Sequence, residues 1–150
     1  MLRVENQNEI IGIIFPILPN HVERFFADGK TVFVKFVSRA PTRLQTGHRL
    51  FFYKSRNDRE LVGEALISGI ETKPPKDILS DFHDRLFLTR KEMEQYVGNR
   101  QSKEMLVLIL SKVKKYHAAI RLERPVTMAG QYVTRRMYRE NAQLSRETVL

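Results

Sequence analysis

Residues 47–70 read GHRLFFYKSRNDRELVGEALISGI, and this stretch predicts a β-hairpin. Residues 49–54 are a short aliphatic and aromatic run, and residues 61–70 are a second apolar segment. The residues between these two runs are rich in turn formers, which is the sequence signature of paired antiparallel strands. Gly63 interrupts the second run and predicts either a bulge or the close approach of another backbone.

The residues before this hairpin predict a strand, a helix and another strand. Residues 9–15 are rich in isoleucine, which is typical of a buried strand, and we expect Pro16 and Pro19 to end that strand. A short helix should follow, with Asn20 as its cap and Gly29 as its stop. Residues 31–36 alternate in polarity as a strand does.

The residues after the hairpin add helices and the last strands. A helix is predicted over residues 77–85, and Thr89 and Glu92 have the spacing of a capping box at the start of another. Residues 104–116 and 118–122 predict two further strands. The count is five to six mostly antiparallel strands with short helices inserted. We therefore predict an α+β, mainly β fold whose sheet curls into a small barrel.

The chain has 150 residues, which is the size of one ordinary domain. We expect residues 1–125 to form the barrel and residues 126–150 to be a basic extension that packs on it or trails from it. The chain has no cysteine, and its four histidines lack metal-ligand spacing. We therefore expect no cofactor and no metal. No signal peptide or membrane span is recognisable, which favours a cytoplasmic protein without a membrane partner.

The net charge is the strongest global signal. Lysine and arginine total 26 against 17 acidic residues, so the formal charge is +9 and the isoelectric point is about 10.0. A surplus of this size favours partners with dense negative charge, because each neutralised phosphate releases condensed counterions. Composition therefore points to a nucleic acid as the partner.

Two groups of residues could form a nucleic-acid interface. The first lies on predicted strand ends and loops, where cations would contact phosphates and an outward-facing tyrosine would stack on a base. The second lies near the C-terminus, where aromatic residues and arginines alternate. The first group is Lys30, Lys35, Arg39, Arg43, Tyr53, Lys54 and Arg56, and the second is Tyr132, Arg135, Arg136 and Arg139.

The order of short motifs resembles a known family. The motifs are Asp28-Gly29-Lys30-Thr31-Val32, then residues 47–53, then Leu61-Val62-Gly63-Glu64-Ala65, and finally residues 89–98. This series resembles the ASCH branch of the PUA-like superfamily and is similar to an uncharacterised archaeal group within it. The resemblance implies a small β-barrel with a cleft beside the first helix and the second strand. It also implies recognition of RNA or of modified nucleosides.

One departure from the family pattern bears on catalysis. The family carries a Gly-x-Lys-x-x-Glu-x-Arg type run, in which Lys30 matches the lysine and Lys35 stands for the arginine. Phe33 replaces the acidic residue, and relatives that hydrolyse acetylated cytidine have a threonine there. Without a hydroxyl or carboxylate at this position, the obvious nucleophile or proton carrier is missing. Enzymatic activity is therefore uncertain, and no catalytic residue is assigned.

Three functions stay open. The leading one is a nucleic-acid-binding module, with RNA as the favoured ligand, that uses a basic cleft. The second is a nucleoside-directed amidohydrolase in which Lys30 activates the substrate and Glu64 carries the proton. The third is a protein-interaction module or homodimer whose basic face binds an acidic partner.

Overall fold

The computed structural model describes residues 6–55 and 59–140, which form a six-stranded mixed sheet and four helices. The strand order across the sheet is β2-β5-β4-β3-β1-β6, in which β1 pairs with β3 in parallel and all other neighbours are antiparallel. The predicted fold class is therefore confirmed. The strands are β1 Ile10–Ile17, β2 Val32–Lys35, β3 Arg49–Lys54, β4 Glu60–Lys73, β5 Met105–Arg121 and β6 Gln131–Thr134, and the helices are α1 Pro19–Ala27, α2 Pro75–Phe82, α3 Arg90–Val97 and α4 Arg135–Glu140.

The first strand lies inside the sheet between β3 and β6, and all of its residues are buried. The prediction that Pro16 ends this strand is wrong, because β1 continues to Ile17 alongside β3. The pairing of β6 with β1 extends no further than Ile14, so Pro16 lies where β1 has become an edge strand among the described residues. A proline, which has no backbone N–H, is tolerated at such a position.

The first helix begins two residues earlier than predicted. Pro19 occupies its first turn, where the missing N–H of proline has no helical partner to lose. Leu18 is the cap residue, so the assignment of the cap to Asn20 is wrong. Gly29 follows the helix with φ of +66°, as expected of a helix stop. The capping box of α3 is present as predicted, with Thr89 and Glu92 as its two members.

The fourth and fifth strands are long and bent. The two strands predicted over residues 104–116 and 118–122 are one strand, β5, and Lys112 within it has a positive φ of 49°. The pairing of β4 with β5 shifts register three times, and such bulges bend and twist a sheet. The predicted close approach at Gly63 is confirmed, because a Cβ built there would lie 2.4 Å from the Lys114 carbonyl oxygen.

Both faces of the sheet are buried around β3. Leu50 and Phe52 contribute to the main core, whereas Phe51 and Tyr53 contribute to a second, smaller core against the other face. The extended strand sends successive side chains to opposite faces, so a run of four apolar residues supplies both cores. The second core also contains Val133 of β6, and Met137 and Tyr138 of α4 pack against it.

The sheet curls until distant strands face each other. The rings of Phe15 on β1 and Phe33 on β2 stack with centroids 5.6 Å apart, although three strands separate β1 from β2 in the sheet. The main core fills the inside of this curl. In the described residues β2 and β6 remain the two edges of the sheet, and the space between these edges is open.

Candidate nucleic-acid interface

The open side of the curled sheet is a cleft of about 570 Å³. It lies between the end of β2, the middle of β1 and the start of β6. We call it the basic cleft, because the charged side chains among its described lining residues are those of Lys35, Arg39 and Arg43, with no aspartate or glutamate. The lining also includes aromatic and apolar groups, which are those of Ile13, Phe15, Phe36, Val37, Met128 and Tyr132.

Lys35 is the buried cation of the basic cleft. Its side chain is 9% exposed, and its ammonium nitrogen lies 5.6 Å from the centroid of the Phe15 ring. None of the described carboxylates lies within ion-pair distance of it. Removal from water disfavours the charged form, so burial lowers the pKa of Lys35 below its ordinary value of 10.5.

Arg43 and Tyr132 join the two walls of the basic cleft. The guanidinium carbon of Arg43 lies 5.8 Å from the centroid of the Tyr132 ring, and the Arg43 backbone N–H donates to the Tyr132 hydroxyl at 3.4 Å. Arg39 is exposed on the same loop. The structure therefore brings together four of the predicted interface residues, which are Lys35, Arg39, Arg43 and Tyr132.

The start of the loop after β2 is fixed by residues that the sequence did not single out. Arg100 lies over the ring of Phe36, with its guanidinium carbon 4.1 Å from the ring centroid. The Tyr96 hydroxyl accepts a hydrogen bond of 2.9 Å from the Phe36 backbone N–H. These contacts hold the loop at its root, so Arg39 and Arg43 project from an anchored segment.

A second cavity, of about 550 Å³, adjoins the basic cleft. We call it the apolar pocket, because Phe33, Phe87, Leu88 and Tyr96 contribute to its walls. Lys35 and Met128 line both cavities, so the two spaces meet at these residues. Met128 is 64% exposed, which is unusual for a large apolar side chain and places it at the mouth of both.

Glu92 of α3 lines the apolar pocket and forms an ion pair with Arg24 of α1. Arg24 contacts Glu92 through both terminal nitrogens, at 2.5 and 3.0 Å, and His21 lies 3.3 Å from the same carboxylate. Glu92 also closes the capping box of α3 by accepting from the Thr89 backbone N–H. The hydrogen bonds from Arg24, followed by those from Thr89, lower the pKa of Glu92 to about 2. The Glu92 carboxylate is therefore ionised at neutral pH.

Several predicted interface residues lie away from the basic cleft. The Lys30 ammonium donates to the Asp84 carbonyl oxygen at 2.8 Å, before the start of β2, and Lys30 is not among the lining residues of the cleft. Tyr53 is only 4% exposed, because it belongs to the second core, and it cannot stack on a base. Lys54 is half-buried at the end of β3. Arg56 lies outside the described residues.

The C-terminal arginines occupy another part of the surface. Arg135 and Arg139 line a separate cavity together with Arg49, whereas Arg136 is exposed. Arg49 was not among the predicted interface residues. It is the first residue of β3, and a single arginine at the start of a strand does not by itself indicate a binding site.

The pair assigned to amide hydrolysis is not assembled. Glu64 is 4% exposed and is bound by Arg49, Tyr116 and Tyr138 beside the second core. Lys30 is bound to a backbone carbonyl of another segment. Phe33, the residue that departs from the hydrolase motif, is 3% exposed and packs in the main core. Lys30 and Glu64 therefore contact different groups, and the described contacts do not bring them together.

In residues 6–55 and 59–140, histidine, aspartate and glutamate side chains do not cluster in a way that could hold a metal ion. No helix in the same residues has the length and apolar character of a membrane span.

Comparison with solved structures supports the architecture. An ASCH protein from Zymomonas mobilis superimposes with a TM-score of 0.75 over 89% of this chain and 95% of its own, at 15% sequence identity. A point mutant of the same protein gives a TM-score of 0.76 over 91% of this chain and 98% of its own, at 14% identity. This similarity confirms the ASCH-type, PUA-like fold that the motifs implied.

Comparison of sequences places the chain in a family. An uncharacterised protein of Methanocaldococcus jannaschii, MJECS03, is 29% identical over 102 residues, which cover 61% of this chain and 94% of that protein. A family model described as a domain of unknown function, DUF365, matches residues 10–135. That match begins at the first residue of β1 and ends at the first residue of α4. The chain belongs to the DUF365 family.

Proposed function

We propose that this protein is a nucleic-acid-binding module and that single-stranded RNA enters the basic cleft. The observation that carries the proposal is the convergence of Lys35, Arg39 and Arg43 on one open space without a carboxylate among its described lining residues. An anionic ligand would meet three cations there, and a cationic one would meet no partner. The formal charge of +9 adds a long-range attraction of the same sign.

The burial of Lys35 supports the same reading. An ammonium group that is partly removed from water and has no carboxylate partner destabilises the folded protein. A phosphate in the cleft would supply the missing charge, and the binding energy of the ligand would then offset the desolvation of Lys35. Groups with a perturbed pKa that line a cleft are frequent at functional sites.

The aromatic lining suits nucleotides better than it suits simple anions. Tyr132 and Phe36 line the basic cleft among arginines, and both are partly exposed. Single-stranded nucleic acids bind where cations contact phosphates and aromatic rings stack on bases. The fold of the ASCH neighbours is compatible with such a ligand, and the residues above supply the chemical argument.

A salt titration tests this function. Affinity for a fluorescent single-stranded RNA oligonucleotide is measured by anisotropy at several KCl concentrations. Each phosphate contact to a single strand contributes about 0.7 to the slope of log affinity against log salt, so three contacts predict a slope of about −2. A flat plot would contradict the proposal, and a DNA oligonucleotide of the same sequence shows whether the ribose hydroxyl contributes.

Matched variants show where the ligand binds. Arg39→Gln with Arg43→Gln removes two proposed phosphate contacts, so the slope should become shallower by about 1.4. Lys114→Gln is the control, because Lys114 is exposed on β5 eight residues beyond Leu106, the partner of Lys35. If the loss of affinity per charge removed is the same in the double variant and in the single control, binding is a diffuse effect of net charge. Light scattering during the titration separates RNA binding from self-association.

A further inference from the structure

Arginines also line a smaller cavity at the other end of β6. This cavity, of about 310 Å³, lies between the start of β1, the start of β3 and α4. We call it the arginine pocket, because Arg49, Arg135 and Arg139 line it, with Glu9 as the carboxylate among its described lining residues. His48 and Tyr138 complete the polar part of its wall.

Arg49 is held in a fixed orientation in this pocket. Its Nε lies 2.7 Å from a carboxylate oxygen of Glu64, and its guanidinium carbon lies 5.2 Å from the centroid of the Tyr138 ring. The nearest contact with Glu64 uses Nε, and neither terminal nitrogen of Arg49 makes a hydrogen bond within the described residues. A guanidinium that is anchored at one nitrogen can present the other two as a fork.

The anchor of Arg49 is unusual for its burial. The Glu64 side chain is 5% exposed and accepts hydrogen bonds from the hydroxyls of Tyr116 and Tyr138, at 3.1 and 3.2 Å. Burial, followed by the charge of Glu64, raises the pKa of Tyr138 to about 12 and raises the pKa of Tyr116 as well. Both phenols therefore stay protonated as donors to one oxygen of Glu64, and Arg49 contacts the other oxygen. The buried carboxylate therefore holds the side chain of Arg49 in place.

Arg135 provides a second group for a ligand. One of its terminal nitrogens lies 2.7 Å from Glu9, but its Nε is buried and has no hydrogen-bond partner in the described part of the chain. A buried N–H without an acceptor is unfavourable by about 1 to 3 kcal/mol. An oxygen that enters the pocket beside Arg135 could become that acceptor after a small shift of the side chain.

We propose that the arginine pocket binds a phosphate group of a nucleotide or nucleic acid, with Arg49 as the bidentate ligand and Arg135 and Arg139 as flanking cations. The two terminal nitrogens of an arginine match the geometry of phosphate oxygens, which favours a phosphate over an apolar ligand. The pocket does not share a described lining residue with the basic cleft, so the proposal stands independently of RNA binding in that cleft.

The test uses amide NMR spectra of the whole chain titrated with inorganic phosphate and then with adenosine monophosphate. We expect saturable shifts of the amides around His48, Arg49 and Tyr138, which are followed separately from the amides of the basic cleft. A short RNA without a terminal phosphate then distinguishes the two sources. If it competes with inorganic phosphate, the ligand is a phosphodiester of a strand; if only the monophosphate competes, the ligand is a nucleotide.

Variants separate this site from the cleft. Arg139→Gln and Arg49→Lys should each weaken phosphate binding by about tenfold, because each loses a charge-assisted or bidentate contact. Lys114→Gln on β5 should leave the phosphate-induced shifts around His48, Arg49 and Tyr138 unchanged. Arg139 is exposed on α4, so its variant remains informative even if Arg49→Lys fails to fold. Phosphate-induced shifts spread over all exposed lysines and arginines would overturn the proposal. So would a phosphate affinity of Arg139→Gln equal to that of wild type.

Discussion

Lys35 and Phe15 lie on strands that are not neighbours in the sheet, yet the Lys35 ammonium lies 5.6 Å from the centroid of the Phe15 ring. The contact exists because the sheet curls until β1 and β2 face each other. A ring face attracts a cation, but it replaces only part of the hydration that burial removes. Lys35 therefore destabilises the folded protein and, in our proposal, contributes to ligand binding.

Replacing Lys35 with methionine should stabilise the protein and weaken its binding of RNA. Methionine keeps the length of the side chain and removes the buried charge, so unfolding at pH 7 should require on the order of 1 kcal/mol more. Loss of one phosphate contact should make the salt slope of RNA binding shallower by about 0.7. Urea denaturation and anisotropy measure the two effects. A variant that is less stable than wild type would show that the ammonium is satisfied.

The pH dependence of stability provides a second check on Lys35. The pKa of Lys35 in the folded state is lowered from 10.5, so the unfolded state binds more protons between the folded pKa and 10.5. Stability contributed by this residue therefore rises as the pH increases through that window. Urea denaturation at several alkaline pH values should show that the difference in the free energy of unfolding between wild type and Lys35→Met shrinks toward pH 10.5. A constant difference would contradict the assignment.

Tyr132 should contribute to RNA binding through its ring. Tyr132→Leu keeps an apolar side chain beside the cleft but cannot stack, and loss of a stacked base weakens binding by about 1 to 3 kcal/mol. Tyr132→Phe should retain most of the affinity, because it loses only the hydroxyl that accepts from Arg43. Anisotropy at constant salt compares the two variants. Equal losses in both would assign the effect to the hydroxyl instead.

Glu92 should stabilise the protein at neutral pH and lose this effect in acid. Its pKa falls from 4.5 to about 2 on folding, so its contribution is present above pH 4.5 and is lost as the pH falls toward 2. Glutamine can still close the capping box, so Glu92→Gln isolates the ion pair with Arg24. Because solvent reaches the pair, we expect Glu92→Gln to lower the free energy of unfolding by about 1 to 2 kcal/mol at pH 7. Exposed Glu94→Gln is the control for denaturation across this pH range.

Gly63→Ala should destabilise the fold strongly. The added Cβ would meet the Lys114 carbonyl oxygen at 2.4 Å and the Phe26 ring at 2.5 Å, so the pairing of β4 with β5 must shift. Overpacking of this kind costs about 1 to 3 kcal/mol. Gly69→Ala on the same strand is a matched control, because its nearest contact is the flexible end of Ile109 at 3.1 Å. Similar denaturation midpoints for the two variants would contradict the steric explanation.

The strands were predictable because their signals are local. Alternation and apolar runs located β3 within its actual limits, and turn chemistry located the capping box of α3. The errors have physical causes that depend on the assembled sheet. Pro16 is tolerated because β6 stops short of it, and β5 stays continuous because the break predicted at residue 117 is a register shift between Lys115 and Ile120 in its pairing with β4. Neither fact can be known before the neighbouring strands are placed.

The candidate site was predictable only in part, for a similar reason. Charge and composition identified Lys35, Arg39, Arg43 and Tyr132, which the curl of the sheet brings to one cleft. Tyr53 is buried because both faces of β3 are covered, which a single strand does not reveal. Arg49 was missed because its importance comes from Glu64, a residue that is fifteen positions away in the chain and adjacent only across the hairpin.

The placement of β1 between β3 and β6 has a consequence for synthesis on the ribosome. Residues 18–48 must leave the exit tunnel before β3 can pair with β1, and β6 follows only after residue 130. At about 5 to 20 residues per second, one edge of this isoleucine-rich segment therefore stays uncovered for seconds in the nascent chain. Pro16 removes one N–H from that edge, which makes the segment a poorer template for intermolecular strand addition before its own partner arrives.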